Sequence, residues 1–345
     1  VSRGAGMDPG PPPRLGAARR YRLRLLRRRL LWRSLRARHQ LRPLADRTDS
    51  IRPGAVLLVA CLRNEALRLP YFLTHYRAMG VTHFLLVDND SQDGSPAWLA
   101  DHGDVSIWQT GASYRAARFG MDWLGWLLMR YGHGHWCLTV DADELLLTPG
   151  MQRLPDLAAR LQDMGREAMG ALMLDLCPEG PLGTGIHAPG QDPTQILTHF
   201  DAGPFRARWQ ARHGNLWLQG GLRERVFFAD DPDRGPTLNK LPLVRWNRRF
   251  AYLNSTHSIL PARLNALYAG PAGPLPSGVL LHTKFLPDSP ARAREERRRR
   301  EHFGQPELFD PYYLAIAGGA LLTGPDSRAY EGPEQLEALG LMRRA

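Results

Sequence analysis

The sequence predicts an α/β fold, with a mainly parallel central sheet flanked by helices, and three observations carry that prediction. Short apolar, partly β-branched runs recur at 55–61, 81–87, 105–109 and 136–140, the pattern of strands buried on both faces. Helix-patterned segments and short loops separate these runs, as right-handed βαβ crossovers require. Three of the runs lead into polar clusters, at 61–65, 88–95 and 141–144. Ligands of such sheets bind outside the carboxyl ends of strands, so the clusters share one functional edge.

Taken in order, residues 1–18 are rich in Gly and Pro and are expected to be disordered. Residues 21–40 read as a basic helix, with Leu23, Leu26 and Leu30 on one side and Arg27, Arg28 and Arg29 on or near the other. It belongs to a basic helical arm spanning 19–50. Residues 1–54 hold fifteen arginines against Asp8, Asp46 and Asp49, a net +12, whereas the whole chain carries +11. The remainder is thus close to neutral, and the charge belongs to the arm. The arm suits three partners: the main domain, an anionic membrane surface, or nucleic acid. After Tyr21 at its start, Trp32 is the only interleaved aromatic, so nucleic acid is the least supported.

The main domain is expected over 51–287, in two halves that meet near residue 150. After the first strand come Arg63-Asn64-Glu65 and a helix over 66–79, with Gly80 as its C-terminal stop. The second strand ends in Asp88-Asn89-Asp90-Ser91-Gln92-Asp93-Gly94-Ser95, which also reads as an Asx-rich turn and helix cap. A short helix, the third strand, a long helix over 114–131 and the fourth strand follow. Residues 178–219 show little periodicity and much Gly, Pro and His, as lids, acceptor-binding loops or disordered loops do. Trp209 and Trp217 within them suit either sugar stacking or packing. Strand-like runs recur at 240–246 and 279–281. A C-terminal helical extension over 288–345 carries a charged helix at 291–301, including Arg297 to Arg300, read as a solvated face.

The chemistry concentrates at Asp141-Ala142-Asp143-Glu144. Carboxylates held this close repel unless a cation lies between them. A hard divalent ion, Mg²⁺ or Mn²⁺, takes one or two carboxylates and completes its shell with water and substrate phosphates. A solvated acidic turn is the plain alternative. Lys240 and Lys284 are the only lysines in a chain that otherwise uses arginine, so an ammonium at either position is distinctive. Cys61, Cys137 and Cys177 have neither metal spacing nor a disulfide pattern, which suits a reducing, cytoplasmic setting with the arm peripheral at the inner membrane face. No run approaches the ~18 apolar residues of a membrane span.

The motifs Arg63-Asn64-Glu65, Leu69-Pro70-Tyr71-Phe72, His75-Tyr76-Arg77, Val87 to Ser95 and Val140 to Glu144 resemble glycosyltransferases of the family 2 type, with the GT-A fold. The variant resembled is the bacterial group whose first loop reads Arg-Asn-Glu. The resemblance runs from about 51 to 285, taking in Gln219 to Arg225, Asn239 to Trp246, Ser255 to His257 and Leu280 to Phe285.

That resemblance implies a nucleotide-sugar site, with a donor half over about 51–150 and an acceptor half over about 151–287. Arg63, Asn64, Glu65, Asp88 and Asn89 would border the base and ribose. Asn89 stands where relatives often carry a second aspartate, and an amide both donates and accepts, which leaves the base identity open. Arg115 and Arg118, at the start of the long helix, would reach the diphosphate or lie on its surface. Asp141 and Asp143 would hold Mn²⁺ or Mg²⁺ between the donor phosphates, with Asp143 the direct ligand and Asp141 nearer the ribose. His282 would be a third ligand or else a hydrogen-bonded core histidine; His257 is a weaker ligand candidate. Lys284 would face the diphosphate, and Lys240 the donor or acceptor. Glu224 would be the base of an inverting transfer, or an internal ion-pair partner of Arg223 and Arg225, with Asp230 and Asp231 as substitutes. The implied activity moves a sugar, foremost from a UDP-sugar, to a glycan, lipid or protein hydroxyl by direct displacement. One alternative is a non-catalytic nucleotide-sugar or glycan-binding domain docked through its arm. Another is a nucleotidyltransferase, disfavoured because no Gly-rich basic loop follows the first strand.

Overall fold

The computed structural model describes residues 8–299, 301 and 309–345. Its strands are β1 (Arg42–Ala45), β2 (Val56–Leu62), β3 (His83–Asp88), β4 (Val105–Gln109), β5 (Trp136–Thr139), β6 (Glu144–Leu147), β7 (Ala168–Cys177) and β8 (His199–Asp201). They continue as β9 (Phe205–Gln210), β10 (Asn215–Gly220), β11 (Asn239–Arg245), β12 (Ala251–Tyr252), β13 (Ile259–Leu260), β14 (Ser277–His282) and β15 (Ser327–Ala329). The helices are α1 (Ala17–Ala37), α2 (Leu69–Ala78), α3 (Ser95–Ala100), α4 (Met121–Tyr131) and α5 (Leu154–Asp163), then α6 (Gly221–Phe227), α7 (Ser289–Arg299), α8 (Asp310–Ala317) and α9 (Pro333–Ala338).

The main sheet runs β1-β4-β3-β2-β5-β11-β7-β14-β6, with β8 and β15 appended beyond β7. Strands β4, β3, β2 and β5 are parallel, and β7 and β14 are parallel to each other. The reversed β11 lies between the two groups, antiparallel to both β5 and β7. The fold is thus mixed α/β with a mostly parallel sheet. Central strands are covered on both faces: Leu57, Leu58, Phe84 and Leu85 have no exposed surface. Each such side chain contributes about 1.5–3 kcal/mol by burial. Because β2, β3, β5, β7 and β14 end at one edge, the reversed strands β11 and β6 begin there, which brings Lys240 and Glu144 to the same edge as Asp88 and His282.

Several boundaries differ from the sequence expectation. The helix expected over 66–79 starts at Leu69, because Pro70 is tolerated only in a first turn. Glu65 to Leu69 form a turn instead, closed by the Arg68 and Leu69 N–H groups on the Glu65 carbonyl. The helix expected from 114 starts at Met121. Before it Arg118, Phe119 and Gly120 are all left-handed, at φ 55°, 57° and 77°, which no helix continues through. Residues 178–219 contain a β9–β10 hairpin of six facing pairs as well as β8, and the β9 alternation of Phe205, Ala207 and Trp209 against Arg206 and Arg208 fits a strand.

The arm is not wholly helical. After α1, β1 joins the sheet edge antiparallel to β4. Helix α1 lies on α4, where Ser34 meets Gly125; a Cβ at Gly125 would come within 2.4 Å of Ser34 Oγ, so glycine sets the approach. Leu23 and Leu30 pack with Ala251 and Leu260, and Arg33 pairs with the buried Asp122 at 2.8 Å. Of the segment expected to be disordered, residues 1–7 lie outside the described residues. Further on, Trp209 Nε1 donates to the Gly10 carbonyl and Leu15 joins the Leu23 cluster. Arg300 in the charged C-terminal run also lies outside the described residues.

Candidate functional site

A pocket of about 610 Å³ opens at the edge where the parallel strands end. Asp141 to Glu144 and His282 line it, as do Arg63, Asn64, Glu65 and Asn89. Helices α7 and α8 wall it too, through Arg292, Glu295, Tyr312 and others, so one side of the charged helix read as solvated lines the site while Arg294 and Arg298 stay exposed.

A buried chain of charges runs through this edge. β14 and β7 are in register at His282 and Asp175, and His282 Nδ1 lies 2.5 Å from Asp175 Oδ1. Arg223 Nε donates to the other Asp175 oxygen at 2.8 Å. On its far side, His282 Nε2 is 3.2 Å from Asp143 Oδ2. The Thr283 N–H and hydroxyl both donate to the Asp143 carbonyl, which fixes the turn against β14. Burial disfavours the His282 charge, but Asp143 and Asp175 outweigh it and raise the proton affinity of the ring above the ordinary value. Burial likewise works against the Asp143 carboxylate, and His282, Lys284 and Arg68 overcome it to hold that carboxyl well below its usual range.

Lys240 forms a second centre. Its Nζ lies 3.0 Å from Asp141 Oδ2 and 2.7 Å from Glu144 Oε1, with only 4 % of the lysine side chain exposed. Glu144 also accepts the Asp141 N–H at 3.1 Å. Burial raises the Glu144 carboxyl, and Lys240 only partly restrains that rise. His257, whose Nδ1 meets the Asn239 carbonyl at 2.7 Å, is pushed down to about 3 by burial and by Lys240. It is a neutral ring lining the pocket.

A third group ties the first loop to the C-terminal helices. Arg292 reaches from α7 to Glu65 at 2.7 Å and to Asp288 at 2.7 Å, and also donates to the Asn64 carbonyl. Arg68 binds the same two carboxylates at 3.2 Å. Asn64 is left-handed, at φ 52°, and its amide oxygen accepts the Gln92 N–H. Arg63 donates to the Asn89 carbonyl at 2.7 Å, and the Asn89 amide donates to the Thr110 and Ala112 carbonyls. Lys284 stands 5.8 Å over the Tyr312 ring.

Six of the residues considered for the site lie elsewhere. Glu224 is clamped by both Arg206 guanidinium nitrogens and does not line the pocket. Its neighbours Arg223 and Arg225 pair instead with Asp175 and Asp201, since adjacent helical residues point different ways. Arg118 donates to Asp122 and the Tyr252 carbonyl, a strut between α4 and β12 rather than a diphosphate ligand. Asp88 has no exposed surface and receives the Ser91 N–H, so it lies behind the wall that Asn89 lines. Arg115 meets Glu301 through its backbone N–H, and Asp230 and Asp231 are likewise absent from the lining.

Among the described residues no three His, Cys, Asp or Glu side chains converge as a metal cluster. Asp141, which the resemblance made a carboxylate ligand beside Asp143, is tied to Lys240 instead. Asp143 and His282 do fit an ion. Neighbouring ligand atoms about 2.1 Å from one octahedral ion lie about 3 Å apart, close to the 3.2 Å between Asp143 Oδ2 and His282 Nε2. Asp175 backs His282 as carboxylates commonly back ligating histidines.

No family model matches this chain, and no curated protein does. Among solved structures it is similar to the crystal structure of 4-diphosphocytidyl-2C-methyl-D-erythritol synthase, over 41 % of this chain and 67 % of that one. The identity is 18 % and the TM-score 0.25. So slight a likeness carries no argument. The site rests on its own geometry.

Sequence reasoning missed Asp175, Arg68, Arg292 and the walling role of α7. Asp175 was findable in principle, being the one acidic residue in the apolar run 168–177. A lone carboxylate in a buried strand demands a partner.

Proposed function

We propose that the chain is a metal-dependent glycosyltransferase of the GT-A type, moving a sugar from a nucleoside-diphosphate donor, foremost a UDP-sugar, to a glycan, lipid or protein hydroxyl. The observation that supports this reading is the Asp143–His282 pair, braced by Asp175, at the carboxyl edge of a mostly parallel sheet and beside a pocket large enough for a nucleotide sugar. A set of one carboxylate and one imidazole favours Mn²⁺ over Mg²⁺, which prefers oxygen donors. When bound, that ion would neutralise the charge that grows on the leaving diphosphate.

The chain's own residues supply the rest. Asp143 and His282 would hold the ion, and Asp175, by engaging Nδ1, would leave Nε2 as the ligating nitrogen. Lys284, lining the pocket, adds a point charge for phosphate oxygens. Asp141, with half its side chain exposed, keeps oxygen surface for a ribose hydroxyl while Lys240 steadies it. Arg63 and Asn64, on the loop that Glu65 and Arg292 fasten to α7, border the base together with Asn89 after β3. Glu224 drops out of the catalytic set. A panel of nucleotide sugars assayed for donor hydrolysis with and without Mn²⁺ tests the assignment. Turnover should need the ion and vanish in Asp143→Ala, and undiminished turnover in that variant refutes it.

A further inference from the structure

We propose that the outward face of α1 docks the protein on an anionic lipid surface. The inward face is committed, since Leu23, Leu30, Ser34 and Ala37 are buried and Arg33 pairs with Asp122. The outward face carries side chains with no such use. Tyr21, Leu25 and Trp32 are 61 %, 44 % and 59 % exposed. At 100° per residue these three and Arg28 fall within about 60° of one another, a narrow ridge along the helix.

Arginines border that ridge. Arg22, Arg24, Arg28, Arg29 and Arg36 are all exposed, and no acidic residue occurs in the helix. The positive surface continues beyond α1. Arg248 and Arg249 are exposed after β11, and Arg24 and Arg249 lie close enough to repel the Arg27 charge. A soluble monomer has little reason to combine exposed aromatic and aliphatic side chains with uncompensated charge. A lipid interface uses both, because the ridge enters the acyl boundary while the arginine stems extend to anionic headgroups. Nucleic acid would use the charge and leave Leu25 and the ridge geometry without a role. Among the described residues no helix is long and apolar enough to cross a membrane, so contact through α1 would be peripheral.

Flotation of the full chain with phosphatidylcholine vesicles, alone or with 30 mol % phosphatidylglycerol (about that fraction suffices to charge the surface), tests this. Binding should require the anionic lipid and weaken as salt rises. The Y21S/L25S/W32S variant should bind about tenfold or more weakly, since three apolar side chains leave the interface. In R28E/R29E/R36E the loss should exceed about 100-fold, because each basic residue near such a surface is worth about fivefold. All six positions are exposed, and unchanged thermal melts verify folding in each variant. Three results overturn the proposal: equal binding to neutral vesicles, unchanged affinity in the apolar variant, or tighter binding to duplex DNA than to anionic vesicles at matched salt.

Discussion

Asparagine at position 175 would remove one charge from a row of four ionisable groups, three of which water barely reaches. Asp175, His282 and Arg223 have side chains 3 %, 8 % and 10 % exposed, and Asp175 is the carboxylate that the other two share. Removing one member of a buried ion pair costs about 3–5 kcal/mol, because the partner charge is left uncompensated. An amide oxygen can still accept one of the two hydrogen bonds, which places Asp175→Asn near the lower figure, about 3 kcal/mol. The metal site should suffer separately. His282 would lose the carboxylate that orients Nε2 and raises its basicity, and losing such a partner costs about 10–100-fold in metal affinity. Urea unfolding of the metal-free protein reads the first effect, and calorimetric titration with Mn²⁺ reads the second. Stability within about 0.5 kcal/mol of wild type, together with unchanged Mn²⁺ affinity, would refute the positioning role.

Three other outcomes follow from the same geometry. His282 binds its proton more tightly in the folded state, so its contribution to metal-free stability is complete below pH 6.5 and fades as pH climbs through the raised folded value. Mn²⁺ must expel that proton, so calorimetric affinity should climb across the same interval, and a flat profile contradicts the assignment. Lys240→Met leaves Asp141 and Glu144 without their shared cation, at a cost of about 3–5 kcal/mol. Because Glu144 is already pushed up to about 7, it can take a proton at low pH, so denaturant melts should show a larger deficit well above that value than below it. Glu224→Gln breaks only the pair with the half-exposed Arg206, worth about 1 kcal/mol. Donor hydrolysis should change by less than about threefold, and a hundredfold fall would restore Glu224 as the base.

The strands were the most legible part of the sequence. The run at 105–109 coincides with β4, and those at 55–61 and 136–140 are displaced from β2 and β5 by a residue, because strands apolar on both faces declare themselves without periodicity. Helix starts were less legible where local backbone choice overrode composition, as at Pro70 and at the left-handed run from Arg118 to Gly120. At the site, Asp143 and His282 stood out as residue types, and the structure places them 3.2 Å apart. Their supports were not legible, because they come from distant parts of the chain. Asp175 and His282 are separated by 107 residues, and Glu65 and Arg292 by 227. Glu224 read as a base or as a partner of its neighbours Arg223 and Arg225, whereas its partner Arg206 sits on the neighbouring hairpin, out of reach of sequence spacing.

The claim that Asp143 and His282 hold an ion for a donor diphosphate is open to one direct measurement. Nucleoside diphosphates, UDP first, can be titrated calorimetrically into wild type and Asp143→Asn, with Mn²⁺ and with chelator. Wild type should bind one nucleotide about tenfold or more tightly with Mn²⁺ than without, and Asp143→Asn should lose that difference, since the ion is shared between carboxylate and phosphate. Nucleotide affinity that ignores Mn²⁺, or an Mn²⁺ effect that survives Asp143→Asn, would contradict the account.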